Sequence, residues 1–223
     1  SPGMANWREI IPHKPGRLIL ETIAFRDHLA RLEREDSLPR IILRRFADGA
    51  EHAIAFAEEA YSLGMSGGYE FDTTALRFTY SSMTTPAQVF DYDMAARTRV
   101  LRKTQEVPSG HKAEDYVTRR LHAPAPDGET VPVSLLYKKG TPLDGSAPLF
   151  LYGYGAYGIS IPAAFSTRQL KPALFANIIH MHFLKEIIHP LLIFYLRNLW
   201  HLFPKNLDVF FNRKLAKYRG FLG

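Results

Sequence analysis

Pro148-Leu149-Phe150-Leu151-Tyr152-Gly153-Tyr154-Gly155-Ala156-Tyr157-Gly158-Ile159-Ser160 is the stretch at which this 223-residue chain changes character. Leu149 to Tyr152 is an apolar, aromatic run with the length of a fully buried strand. Three glycines then allow the backbone to turn sharply and lie close to a neighbour, with Tyr152, Tyr154 and Tyr157 interleaved among them. A buried strand that ends in a hydroxyl-bearing turn is how α/β sheets present functional groups at their carboxyl edge. The spacing Gly153-x-Gly155-x-x-Gly158 also matches the dinucleotide fingerprint, but its context does not. That site needs a helix opening at the last glycine to receive the pyrophosphate, and an acidic residue about twenty positions on. Here the β-branched, proline-bearing Ile159-Ser160-Ile161-Pro162 follows, and the later window reads Asn177-Ile178-Ile179-His180, with no carboxylate. No cofactor is expected.

Upstream, short strand-like runs recur. His28 to Glu35 alternates apolar with polar, the period-2 signature of a half-buried strand; Leu18 to Phe25 precedes it, and Arg40 to Phe46 ends at the hairpin signal Asp48-Gly49 before Glu51 to Phe56. A second set repeats the pattern: Ala60 to Met65, a Ser66-Gly67-Gly68 turn, the strongly alternating Ala75 to Ser82, Gln88 to Asp93, and Arg99 to Arg102. Two sets of four antiparallel strands, each about 40–45 residues long, fit two blades of a β-propeller. After Pro108-Ser109-Gly110, the runs 116–121 and 131–137 flank Pro124-Ala125-Pro126-Asp127-Gly128 and predict a hairpin. A hairpin followed by a buried strand marks a second, α/β domain beginning near Glu114.

Charge divides the chain again. Eight of the 28 Lys/Arg and two of the 22 Asp/Glu lie from Lys171 onward, so the whole net charge of +6 sits there and residues 1–170 are neutral. Phe175, Ile178, Ile179, His182, Phe183, Ile187 and Ile188 fall near helical spacing, but Lys185, Glu186, His189 and Arg197 interrupt the apolar run and Pro190 would kink it. The segment is therefore a poor transmembrane helix. It reads as a basic amphipathic helix for a membrane surface or partner protein, or as a disordered tail. Without cysteine there is no disulfide framework, thiolate metal site or cysteine nucleophile. The N-terminal Ser1-Pro2-Gly3-Met4 has neither the charge nor the apolar run of a secretory signal, which gives a cytoplasmic expectation. The absent initiator methionine suggests a chain that begins inside a longer protein.

Two further motifs match poorly. Gly64-Met65-Ser66-Gly67-Gly68 has the G-x-S-x-G spacing of a nucleophile elbow, but no helix follows the serine, as that turn requires. The histidines at 180, 182, 189 and 201 lack the carboxylates and fixed spacing of a metal centre, so no metal is expected. The basic tail carries no recognised nucleic-acid motif, so no nucleic acid is expected either.

Leu76-Arg77-Phe78-Thr79-Tyr80-Ser81-Ser82-Met83-Thr84-Thr85-Pro86 resembles the last-blade signature of the oligopeptidase B group, within the prolyl oligopeptidase family of serine peptidases. Asn6 to His13, Val131-Pro132-Val133-Ser134-Leu135 and Tyr152 to Gly158 with Ser160-Ile161 are similar to it as well, so the resemblance runs from about Asn6 to Ser166. It implies a seven-bladed propeller gating an α/β-hydrolase domain, and cleavage of short basic peptides after arginine or lysine. It also implies that Tyr154, the second tyrosine of the Tyr-Gly-Tyr-Gly run, supplies an oxyanion-hole hydroxyl. The triad nucleophile, acid and base of the family lie downstream of this stretch, and no G-x-S-x-G occurs beyond residue 68. Two aspartates that some members carry after the tyrosine–glycine run, associated with basic substrates, are Pro162 and Ala164 here.

The expected fold is mainly β. Residues 1–110 are the last two blades of a propeller, 111–170 the first strands of an α/β-hydrolase domain, and 171–223 an unrelated basic, hydrophobic tail, helical or disordered. The expected activity is that of a serine oligopeptidase segment, inactive alone because the triad is missing. The alternative is a non-enzymatic β scaffold whose tail binds a membrane surface or partner.

Overall fold

A computed structural model describes residues 3–154 and 159–170 and the backbone of 174–178. The first sheet is an antiparallel meander of β1 (Arg17–Ala24), β2 (His28–Glu35), β3 (Leu38–Arg45) and β4 (Glu51–Ala53), in that order. The second repeats it with β5 (Tyr61–Ser66), β6 (Ala75–Ser82), β7 (Gln88–Asp93) and β8 (Thr98–Thr104). These are the two expected blades, and β2, β6 and β7 begin and end where the residue pattern places them. The tight turn into β3 was not signalled by glycine: Asp36 and Ser37 both take positive φ, 48° and 59°. A two-residue hairpin loop needs that conformation, and Asp tolerates it better than most residues.

The blades meet through their alternating apolar faces. Leu76, Phe78 and Tyr80 of β6 point one way and pack with Ala30, Leu32, Ile41 and Leu43 of the first blade in a single core. Phe56, in the connection between the blades, stacks on Tyr80 at 4.9 Å, and its ring meets Phe78 edge-on at 5.8 Å. Arg99 lies 5.4 Å from both the Phe56 and Phe90 ring centres and closes this seam with a cation over aromatic faces.

The opposite face of the first blade corrects a simple reading of β2. Alternation predicts a solvated polar face, yet Arg31 is 4% and Glu33 0% exposed. Both are buried because they pair with each other and with opposite charges on β3 and β4. Glu33 accepts from Arg31 at 2.8 Å and Arg40 at 2.6 Å, while Arg31 also forks onto Glu51 through two 2.8 Å bonds. Burial alone would raise the Glu33 pKa; the Arg31 and Arg40 hydrogen bonds reverse that and hold it below the usual carboxylate range.

The third sheet has a different construction. β9 (Tyr116–Pro124) and β10 (Thr130–Lys138) form the expected hairpin, and β11 (Leu149–Gly153) and β12 (Leu174–Ile178) complete the order β11-β12-β10-β9. β12 runs antiparallel to β10 and parallel to β11. The parallel pair requires the long crossover between them, the mark of an α/β unit. Two expectations change here. Residues 174–178, read at helical spacing, are a strand: in an apolar, partly β-branched run, the free edges of β10 and β11 supply hydrogen bonds that outweigh a local periodicity. The rest of the segment after Ile178 lies outside the described residues. β11 is also not buried on both faces. Leu149 and Leu151 pack on Val131 and Val133, while Phe150 is 54% and Tyr152 45% exposed on the other side.

Candidate functional site

Tyr154 follows directly on β11, at the carboxyl end of the parallel pair, and is 38% exposed. It follows the exposed face of the strand, after Phe150 and Tyr152, because side chains alternate along the strand and Leu149 and Leu151 take the packed side. Tyr154 therefore stands at the edge where α/β sheets offer groups to a ligand. A phenol at such an edge can donate one hydrogen bond to a developing oxyanion. Residues 155–158 lie outside the described residues.

The chain after this turn is tied back to the second blade. The Phe165 amide donates to Ser81 Oγ at 2.9 Å, and the Phe165 ring meets His111 edge-on at 4.8 Å. His111 Nε2 lies 2.6 Å from the Thr84 carbonyl oxygen, and its ring stacks on Tyr116 at 5.4 Å. Pro162 and Ala164 flank Ala163, a 5%-exposed residue packed with Ala60, Met83 and Leu136. This part of the chain is thus a seam with the blade.

Ionic contacts lie beside it. Glu59 accepts from Arg119 Nη1 and from the Arg120 amide, both at 2.8 Å, and these bonds hold its carboxyl below the usual range. Arg120 also donates to the Asp36 carbonyl, and His122 Nε2 lies 3.0 Å from Asp36 Oδ2. The positive-φ turn at Asp36 is what aims that residue at β9.

Ser66, expected in a turn, is instead the last residue of a strand, and it is not an elbow. It ends β5, in register with Arg77, and no helix follows. Gly64 is packed so tightly that a Cβ would lie 2.9 Å from Thr79 Oγ1, and one at Gly67 would lie 2.8 Å from Ile23 Cγ2, so these glycines serve close packing. The histidines at 180, 182, 189 and 201 lie outside the described residues. Among the described residues, no three His, Cys, Asp or Glu side chains gather as a metal site, and no helix is long and apolar enough to cross a membrane.

Sequence reasoning passed over Glu58, which collects four side-chain hydroxyls, those of Tyr80, Ser82, Thr84 and Thr85. The available signal was a hydroxyl-rich run, 79–85, on an otherwise apolar strand end.

With this arrangement in view, the relationship to known proteins is unambiguous. Residues 1–105 match the family described as the prolyl oligopeptidase N-terminal β-propeller domain. This part of the chain belongs to that family. Beyond it, the similarity continues into the third sheet. The chain is 36% identical over 172 residues to dipeptidyl aminopeptidase BI of Pseudoxanthomonas mexicana, a match covering 77% of this chain and 24% of that protein. It is 27% identical over 161 residues to Protease 2 of Moraxella lacunata, covering 72% and 23%. Among solved structures, oligopeptidase B from Trypanosoma brucei with covalently bound antipain, in its closed form, superposes with a TM-score of 0.68 at 32% identity, over 76% of this chain and 26% of that one. Oligopeptidase B from Leishmania major gives 0.70 at 26% identity, over 78% and 26%. The chain spans about a quarter of the length of these relatives. The prolyl oligopeptidase family comprises serine peptidases, and the two blades belong to its propeller domain.

Proposed function

We propose that this chain is a segment of a cytoplasmic serine oligopeptidase that cleaves short peptides after arginine or lysine, and that Tyr154 donates its hydroxyl to the tetrahedral oxyanion. The observation that carries this reading is continuity: a prolyl oligopeptidase propeller passes directly into a mixed α/β sheet, with Tyr154 at the carboxyl edge of its parallel strands. In such an enzyme a serine attacks the scissile carbonyl, a histidine takes its proton, and preorganised donors stabilise the oxygen as it becomes negative. Tyr154 belongs to the last group. The exposed Phe150 and Tyr152 on the same strand supply apolar surface beside it. The names of the relatives include both a dipeptidyl aminopeptidase and oligopeptidase B, so the basic-residue preference rests on the second of these.

Alone, the 223 residues perform no acyl transfer in this reading, because a donor hydroxyl without nucleophile and base has no reaction to stabilise. The test is hydrolysis of an arginyl chromogenic peptide by the purified chain. No turnover is expected; turnover abolished by a serine-directed phosphonate would overturn the inactivity. When the segment is joined to a continuation carrying the triad, Tyr154→Phe is expected to lower kcat about 10²–10³-fold, with KM little changed. An unchanged kcat removes Tyr154 from the mechanism. The +6 charge carried from Lys171 onward supports a second reading, a tail that binds an anionic membrane. Salt-sensitive co-sedimentation with anionic vesicles that is lost without residues 171–223 would favour it.

A further inference from the structure

We infer that Glu58 is a positioning residue, holding the turn of the second blade on which the chain downstream of Tyr154 and the linker between the domains are both seated. Ser82 and Thr84 each donate to its Oε1 at 2.6 Å, while Thr85 at 3.0 Å and Tyr80 donate to Oε2. A carboxylate accepts about four hydrogen bonds, so these hydroxyls fill its capacity. Bonds to an ionised acceptor are about twice as strong as neutral ones. Burial, and then the Glu58 carboxylate, raise the Tyr80 pKa far above the usual value, which keeps that phenol a donor.

The consequence lies in what the hydroxyls do with their remaining lone pairs. With its proton directed at Glu58, Ser82 Oγ accepts from the amides of Thr84 at 3.0 Å and Thr85 at 2.8 Å. The Ser82 amide closes the turn on the Thr85 carbonyl at 3.1 Å. Ser81 Oγ donates to the same carbonyl at 3.1 Å, which leaves a lone pair facing the Phe165 amide at 2.9 Å. The Thr84 carbonyl faces His111 at 2.6 Å. One carboxylate thus orients both polar anchors of the seam, one on the linker and one on the crossover after Tyr154. Met83, 1% exposed within the same turn, supplies the apolar contact. This role does not depend on peptidase chemistry, and its test needs none.

The experiment is residue-resolved amide hydrogen exchange on the full chain. Glu58→Ala is expected to speed exchange about tenfold at Phe165, Thr84 and Thr85, while the amides of β2 and β3 keep their rates. Glu58→Gln, which retains one acceptor oxygen, is expected to give a smaller change at the same amides. Ser81→Ala removes only the last link and is expected to expose Phe165 without affecting Thr84 or Thr85. Unchanged exchange at Phe165 in Glu58→Ala overturns the inference. So does an equal increase throughout β2 and β3, which would make Glu58 a general stabiliser. Should the alanine variant not fold, Glu58→Gln decides in the same way: unchanged Phe165 exchange overturns the inference.

Discussion

Two seams hold this molecule together, and they are built from different chemistry. Between the blades, buried residues of both sheets share one apolar core, closed by aromatic rings and by Arg99. Between the second blade and the third sheet, four buried residues, Ala60, Met83, Leu136 and Ala163, form a small core. Around it lie the Glu58 hydroxyl cluster, the His111 and Phe165 anchors and the Arg119–Glu59 ion pair, while Arg120 ties β9 to Asp36 of the first blade. Apolar burial is non-directional and scales with area, so the first seam makes the blades one unit. The second draws more on directional bonds, which fix a register but respond to pH and salt.

The comparison can be broken at its centre. Phe78, fully buried between Phe56 and Phe90, is the pivot of the blade seam. Phe78→Ala is expected to cost about 3–5 kcal/mol, with both blades unfolding together in urea; blades that melt separately would show that the seam is not what joins them. Met83→Ala should cost less, about 2 kcal/mol, and act locally. Hydrogen exchange should quicken in β9 and β10 and hardly change in β2 and β3. Equal loss throughout would erase the distinction between the seams.

Smaller effects sharpen the contrast. Glu59→Gln is expected to cost below about 1 kcal/mol, since its pairs are exposed, and the difference from wild type should shrink in high salt. Because the Arg120 amide and Arg119 hold the Glu59 pKa below its unfolded value, its contribution is present above about pH 4.3 and is lost on acidification below that. The blade seam responds in a different window. Burial, then Arg97 and His28, depress the His52 pKa, and His52 Nε2 meets Tyr92 Oη across the blades at 3.0 Å. The unfolded chain then binds this proton first, so blade stability should decline as pH falls through about 6.5. Urea midpoints from pH 8 to 5 should show that slope, and His52→Gln should flatten it. An unaltered slope would assign it to another group.

Much of the blade architecture was legible because alternation reports it directly. The run 75–82 shows period 2 in the sequence and alternates Leu76, Phe78 and Tyr80 into the seam in the structure. Turn residues such as Asp48-Gly49 delimit strands by local backbone preference, and Gly49 takes φ 70°. The decoy at Ser66 was resolved by the same local logic. β11 was found from composition, but its exposed face was not, since a run of apolar residues does not say which side a sheet covers.

Residue order and local chemistry were enough to identify the blades, the hairpin, the strand before Tyr154 and the change of composition near Lys171, because each depends on neighbours along the chain. Tertiary structure decided the remainder. It placed β12 between β10 and β11, where unpaired strand edges outweighed a helical spacing. It buried Arg31 and Glu33 by setting them against each other and against Arg40 of β3 and Glu51 of β4. It also brought Glu58 to hydroxyls more than twenty residues away. Those outcomes depend on which distant groups meet, and the energy of a buried charge or an unpaired edge is settled only when its partner arrives.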